Sequence, residues 1–154
     1  LSTCILEKRA YGRIPSRFLA DIFWSLELAS RTKMTEATAR PAVLWVEHVM
    51  PQSWEENWPL NGKSGDEVSS NDPGYWEREA AIQTLGNLTI VTDSLNSSMG
   101  KLPFKQKAAK LIEHSNLTLN KRIAEQAVWA EDQISTRGRE LALLASKVWP
   151  SLDK

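Results

Sequence analysis

Only two short runs of this chain have the make-up of β-strands, "AVLWV" at 42–46 and "LTIVT" at 88–92. That scarcity limits the possible folds more than any other feature. Two strands make at most a ribbon, and an isolated ribbon is marginal in water, so it must pack against something larger. The rest of the sequence supplies helices for that purpose. "IPSRFLADIFWSLELAS" brings Phe18, Leu19, Ile22, Phe23 and Leu26 together at helical spacing, after Pro15 and Ser16, which suit a helix start. "YWEREAAIQTLGN" reads as a short helix with Gly86 at its C-terminal cap. "PFKQKAAKLIEH" puts Phe104, Ala108, Leu111 and Ile112 on one face, with Pro103 suited to the first turn. A long closing helix carries Ile134, Leu141, Leu144, Ala145 and Val148 as its stripe and stops at Pro150. Residues 52–74 read as loop, with Pro59, Gly62, Gly65, Trp54 and Trp58 inside it. The expected fold is α+β, a mainly helical domain around a small hairpin.

At 154 residues the chain has the size of one domain with a real core. Hydrophobic residues at 42% and charged residues at 25% are globular proportions and exclude wholesale disorder. Nineteen basic residues balance nineteen acidic ones, so bulk charge gives no nucleic-acid signature and only local clustering can carry one. Cys4 is the sole cysteine, which excludes an intrachain disulfide and a Cys-rich zinc site. It reads as a passive small hydrophobe in a reducing compartment, with a cytoplasmic location expected. No apolar run approaches a membrane span of roughly 20 residues. A first residue of Leu1 rather than methionine reads as a piece of a longer protein.

The chemistry concentrates in "VEHVMPQSW", where Glu47 and His48, one of only two histidines, close the first apolar run. An imidazole at a strand end suits a general base, because its ordinary pKa lies near neutrality. A carboxylate beside it suits an oxygen-seeking cation such as magnesium. Neighbouring strand residues point to opposite faces, so both can serve one site only where the strand ends or bends. Pro51 marks such a point. The turn after the second run offers further groups: Asn87 opens that run, where its amide can lock the loop that carries His48. Asn96 begins the following turn or helix, either as an N-cap or as an oxygen donor to the same cation. Lys101, Lys105, Lys107 and Lys110 follow as a local basic cluster, read either as a solvated helix face or as contacts to a phosphate backbone. His114, near a helix end and outside any motif, reads as structural.

"EHVMPQSW" followed by "GNLTIVTDSLNSSMGK" resembles the HNH endonucleases of the His-Me finger (ββα-metal) group. "EHVMPQ", "LGNLTIV", "NSSMGKLPFKQK" and the closing "W…I..R…L…WP" resemble, more narrowly, the DUF1524 domain. That domain is the C-terminal nuclease half of modification-dependent restriction and phage-defence proteins of the GmrSD type. The resemblance covers roughly residues 18–150. It implies one nuclease domain over 1–154, with a finger core at about 42–115 and flanking helices at 15–31 and 117–149. It also implies a DUF262-type nucleotide-hydrolysing domain in the same or a partner chain, and allows a homo-oligomer.

By that resemblance His48 would be the catalytic base, Glu47 and Asn96 the metal ligands, and Asn87 the brace of the loop. Lys101, Lys105, Lys107 and Arg137 would be the DNA-binding residues. Arg137 also reads as an ion-pair partner for Glu131 or Glu140. The cofactor would be a divalent metal, Mg2+ with Mn2+ able to substitute, and the partner DNA. Two departures stand out: Glu47 replaces the aspartate common before the histidine, and the third motif position is asparagine, which favours a hard metal over zinc. The expected function is metal-dependent nicking of DNA in the restriction of foreign or modified DNA. Its rivals are a catalytically weak DNA-binding module of the same fold and a helical protein–protein adaptor.

Overall fold

A computed structural model describes residues 8–36 and 38–150, so Cys4 lies outside the described residues. The fold is α+β: six α-helices around one two-stranded antiparallel sheet, among the described residues. Helix α1 (Ser16–Ser30) is followed by strand β1 (Trp45–His48). A long excursion holds a 3-10 turn at Gly65–Glu67 and helix α2 (Tyr75–Ile82). Strand β2 (Leu88–Val91) leads into α3 (Asp93–Met99), α4 (Phe104–His114), α5 (Thr118–Ala124) and α6 (Glu131–Val148). No described helix is long and apolar enough to cross a membrane.

The ribbon pairs Trp45 with Val91, Val46 with Ile90, Glu47 with Thr89 and His48 with Leu88. The first strand therefore begins three residues later than 42 and ends on His48 rather than before the acid. Apolar content alone placed it too early, because β2 gives way to α3 after Val91 and leaves residues 42–44 without a partner strand. All four residues of β2 are buried, as expected of a strand covered on both faces.

Two apolar clusters cover the ribbon. One gathers Leu19, Phe23 and Leu26 of α1 with Leu88 and Ile90 of β2 and Leu141 of α6. The other joins Val49, Met50, Trp54 and Trp58 to Ile82, Leu95, Met99, Leu111, Ile123 and Ile134. The loop-like segment after β1 is thus anchored rather than free: the Trp54 indole donates to Glu79 Oε1 at 2.7 Å and the Trp58 indole to the Leu102 carbonyl at 3.2 Å.

Gly86 does not cap α2, which ends at Ile82 with Gln83 as its C-cap. The glycine is needed for close approach instead, since a Cβ there would lie 2.0 Å from the Ile134 carbonyl oxygen of α6. On α4, Ile112 is 66% exposed, and the core face consists of Lys107, Ala108 and Leu111. On α6 the buried stripe is Ile134, Arg137, Gly138 and Leu141. A buried acid supplies another joint. Glu27 of α1 accepts from the backbone N–H groups of Thr118 and Leu119, both at 3.0 Å, so a carboxylate sits on the N-terminus of α5 where the helix dipole favours it.

Candidate active site at the end of the first strand

Glu47 and His48 are adjacent in a strand, and their side chains find different surroundings, as alternation requires. His48 is 9% exposed and meets the ring of Tyr11 edge-on, with centroids 4.4 Å apart. Its Nε2 lies 3.4 Å from Gln83 Oε1 and 3.3 Å from Gln52 Nε2. The amides bracket that nitrogen, so it is engaged in either tautomer: it donates to Gln83 or accepts from Gln52. Nδ1 makes no hydrogen bond among the described residues. Burial lowers the pKa of His48 to about 4, with the Lys107 charge acting in the same direction and the Gln83 hydrogen bond opposing both. The imidazole is therefore neutral at pH 7, the form that accepts a proton.

Gln83 is itself held in place. Its carbonyl accepts from the backbone of Ala10 at 2.9 Å and Tyr11 at 3.1 Å, which brings the segment before α1 against His48. No local pattern marks Tyr11 or Gln83, whereas Gln52 stands four residues after His48 within "VEHVMPQSW".

Glu47 faces α4. Its Oε1 accepts from Lys107 Nζ at 2.8 Å, and the same nitrogen donates to the His48 carbonyl at 2.8 Å. Lys107 is 1% exposed. Burial raises the Glu47 carboxyl and lowers the Lys107 ammonium, each opposed by the attraction of its partner. Lys107 is thereby removed from the DNA-contacting set, because an ammonium closed off from solvent cannot reach a phosphate backbone. Glu47 Oε2 makes no side-chain hydrogen bond among the described residues, and the backbone of His48 also hydrogen-bonds to the carboxyl.

Asn96 sits in the second turn of α3, its N–H bonded to the Thr92 carbonyl at 2.9 Å, so it does not cap that helix; Thr92 occupies the cap position. The side chain is half-buried and makes no hydrogen bond among the described residues. Helix α3, which carries Asn96, packs against β1. Among the described residues no three His, Cys, Asp or Glu side chains gather into a metal-binding group. The donors present are a carboxylate oxygen and a carboxamide oxygen. That set suits a hard cation that keeps several waters and does not suit zinc, which seeks four nitrogen or sulfur ligands.

Asn87 lies behind the site and is fully buried. Its Oδ1 accepts from the Met50 N–H at 2.9 Å and the Trp129 indole at 3.0 Å. Its Nδ2 donates to the carbonyls of Met50 at 2.8 Å and Ile82 at 3.1 Å. One amide therefore joins the turn after β1, the end of α2 and the approach to α6.

Of the remaining basic residues, Lys101 and Lys105 are exposed, whereas Arg137 is 7% exposed and faces inward. Arg137 Nη1 donates to the carbonyls of Gly86 at 2.8 Å and Leu88 at 2.7 Å, with that of Leu85 at 3.4 Å. It cannot be a DNA contact, and it is no ion-pair partner of Glu131, which pairs with Arg78. Burial lowers the Arg137 pKa to about 9, which still leaves the guanidinium charged at pH 7. A groove of about 720 Å³ between α1, α5 and α6 includes Arg137 in its lining but none of Glu47, His48, Asn87 or Asn96.

A two-stranded ribbon with one buried strand, set in a helical body and closed on its first strand by an acid–imidazole pair, defines an α+β domain with a polar site at the ribbon's end. Over residues 5–144 the sequence matches the family described as "GmrSD restriction endonucleases, C-terminal domain", and the chain belongs to that family. Neither the curated proteins nor the solved structures gave a match.

Proposed function

We propose that the chain is a metal-dependent endonuclease that hydrolyses DNA phosphodiester bonds one strand at a time, with β1, β2 and α3 forming a His-Me finger core. The observation that carries the reading is the acid–imidazole pair that closes β1: among the described residues neither Glu47 Oε2 nor His48 Nδ1 makes a side-chain hydrogen bond, and α3 packs against β1. When His48 carries its proton on Nε2 and donates it to Gln83 Oε1, Nδ1 is left to take a proton from the attacking water. Glu47 Oε2 and the Asn96 carboxamide oxygen would hold the cation, Mg2+ or Mn2+. A bound divalent cation supplies charge neutralisation at the scissile phosphate and the leaving oxygen. Asn87 keeps the backbone two residues beyond His48 in register through its two bonds to Met50. Lys101 and Lys105 draw in the phosphate backbone.

Membership of a restriction-endonuclease family supports a role in restriction, here taken to act on foreign or modified DNA. A DUF262-type nucleotide-hydrolysing domain, in this or a partner chain, would then control the cut, and a double-strand break would need a homo-oligomer or a second nick nearby.

Relaxation of supercoiled plasmid tests the reading. Open circles should form with Mg2+ or Mn2+, disappear with EDTA, and fail to form with His48→Ala and Asn96→Ala. A wild-type chain that binds DNA yet leaves every plasmid intact would favour the alternative, a binding module with weak catalysis. The low pKa of His48 is the observation on that side, since it makes the imidazole a poorer base.

A further inference from the structure

The zero net charge of the chain is a sum of unlike regions. Residues 55–79 carry seven acids against Lys63 and Arg78. Residues 8–20 carry Lys8, Arg9, Arg13 and Arg17 and no acid. All four of these cations are exposed, and none forms an ion pair among the described residues. Asp21, the next acid along the chain, pairs with Arg40.

This basic turn is fixed against the candidate site. The Tyr11 ring meets the His48 ring, and the backbone of Ala10 and Tyr11 is tied to the Gln83 carbonyl. The turn also closes on itself, with the N–H groups of Arg13 and Ile14 donating to the Ala10 carbonyl at 3.2 and 3.0 Å. Arg9 is held by the same turn. Its Nε donates to the Tyr11 carbonyl at 3.0 Å, and its guanidinium lies against Gly12, where a Cβ would meet Nη2 at 3.4 Å. Nη1 and Nη2 make no hydrogen bond among the described residues. A guanidinium anchored through Nε, with both terminal nitrogens uncommitted, is a preorganised two-point donor for a phosphate. The Arg17 guanidinium is steadied over the Phe18 ring, 4.7 Å from its centroid.

Resting on the reading of His48 as the base in DNA hydrolysis, we propose that the turn before α1 is a phosphate clamp: Arg9 takes a backbone phosphate beside the scissile one, and Arg13 and Arg17 take neighbouring phosphates. Phosphates of one strand advance about 3.4 Å along the duplex axis, so the neighbours of a phosphate at His48 come within reach of side chains close to Tyr11. Such contacts hold the duplex in register on the site without reading its sequence. The clamp adds to Lys101 and Lys105 and does not replace them.

Binding of a short fluorescent duplex is followed by anisotropy over a series of salt concentrations, with EDTA present so that no strand is cut. Arg9→Gln, Arg13→Gln and Arg17→Gln should each reduce the salt slope by about 1. Arg9→Gln should also weaken binding about tenfold at low salt. Arg9→Lys should keep the slope but recover only part of the affinity, since an ammonium lacks the fork. Lys33→Gln, past the far end of α1 and roughly 20 Å from the turn, should change neither quantity. An unchanged slope in Arg9→Gln and in the triple variant overturns the proposal and leaves the nuclease reading untouched. An equal loss in Lys33→Gln overturns it too, because the attraction would then belong to no particular face. In plasmid nicking, Arg9→Gln should raise KM about tenfold with kcat near wild type, and a fall in kcat at unchanged KM overturns the clamp. A wild type that shows these slopes and never nicks sinks the role of His48 alone.

Discussion

Lys107 and Arg137 stand at equivalent places in their helices. Each follows an apolar residue by three positions, Phe104 and Ile134, and precedes another by four, Leu111 and Leu141. That spacing points both cations into the core. What they meet there differs. Arg137 spreads over uncharged carbonyls of the 3-10 turn Leu85–Asn87 and the first residue of β2, and supplies donors that this turn of backbone lacks. Its Nη2 is buried with no partner among the described residues. Lys107 meets a carboxylate and the carbonyl of the neighbouring histidine. A forked guanidinium suits several scattered acceptors, whereas a compact ammonium suits one carboxylate. Helix position says that a cation is buried; only its acceptors say whether it supports backbone or chemistry.

Loss of the guanidinium should have the largest effect. Arg137→Met leaves the Gly86 and Leu88 carbonyls unpaired in the core, and urea denaturation should show a loss of about 3–5 kcal/mol. Nicking per folded molecule should stay near wild type, and a selective loss of activity would erase the distinction between the two cations. Gly86→Ala attacks the same joint through sterics, because the new Cβ meets the Ile134 carbonyl oxygen; the expected loss is about 3 kcal/mol by the same measurement.

The polar site responds to pH through His48. Burial depresses His48 from its ordinary 6.5 to about 4, so on acidification the unfolded chain takes up that proton first. Its contribution is therefore fully present above about pH 6.5 and is lost as pH falls through about 4, and it amounts to at most about 3 kcal/mol. Stability curves of wild type and His48→Gln should converge over that window; parallel curves would show that His48 is not held neutral. The smallest effect concerns the exposed lysines. Lys101→Ala and Lys105→Ala should each reduce the salt dependence of DNA binding by a slope of about 1, with folding unchanged. Lys107→Met should show no such signature.

The ribbon and the helices were legible because apolar periodicity and strand composition are local properties of a sequence. Strand β2 was placed to within a residue, and α1 began where Pro15 and Ser16 said it would. The first strand slipped because a strand needs a partner as well as composition, and residues 42–44 have none. Gly86 was misread for a related reason: a glycine just past a helix is most simply a cap, and only the arrival of α6, about fifty residues later, shows why no side chain fits. In the site, Glu47 and His48 were visible as an unusual pair, while Tyr11 and Gln83 reach His48 through tertiary packing alone. Lys107 was visible as a lysine and misjudged as to burial. Its spacing from Phe104 and Leu111 carried the signal, and the basic cluster around it hid that signal.

The ribbon also has a kinetic consequence. Strands β1 and β2 are joined by a connection of about forty residues, so their pairing must bear the entropy of closing a long loop before any hydrogen bond repays it. The turn that leads into β2 is completed by α6, through Arg137 and the close passage of Gly86. Assembly of the acid and the imidazole is therefore a late event on the folding path. A chain shortened to end before Arg137 forfeits the site in one step rather than by degrees, and refolding monitored at the Trp129 indole should report the arrival of the whole ribbon.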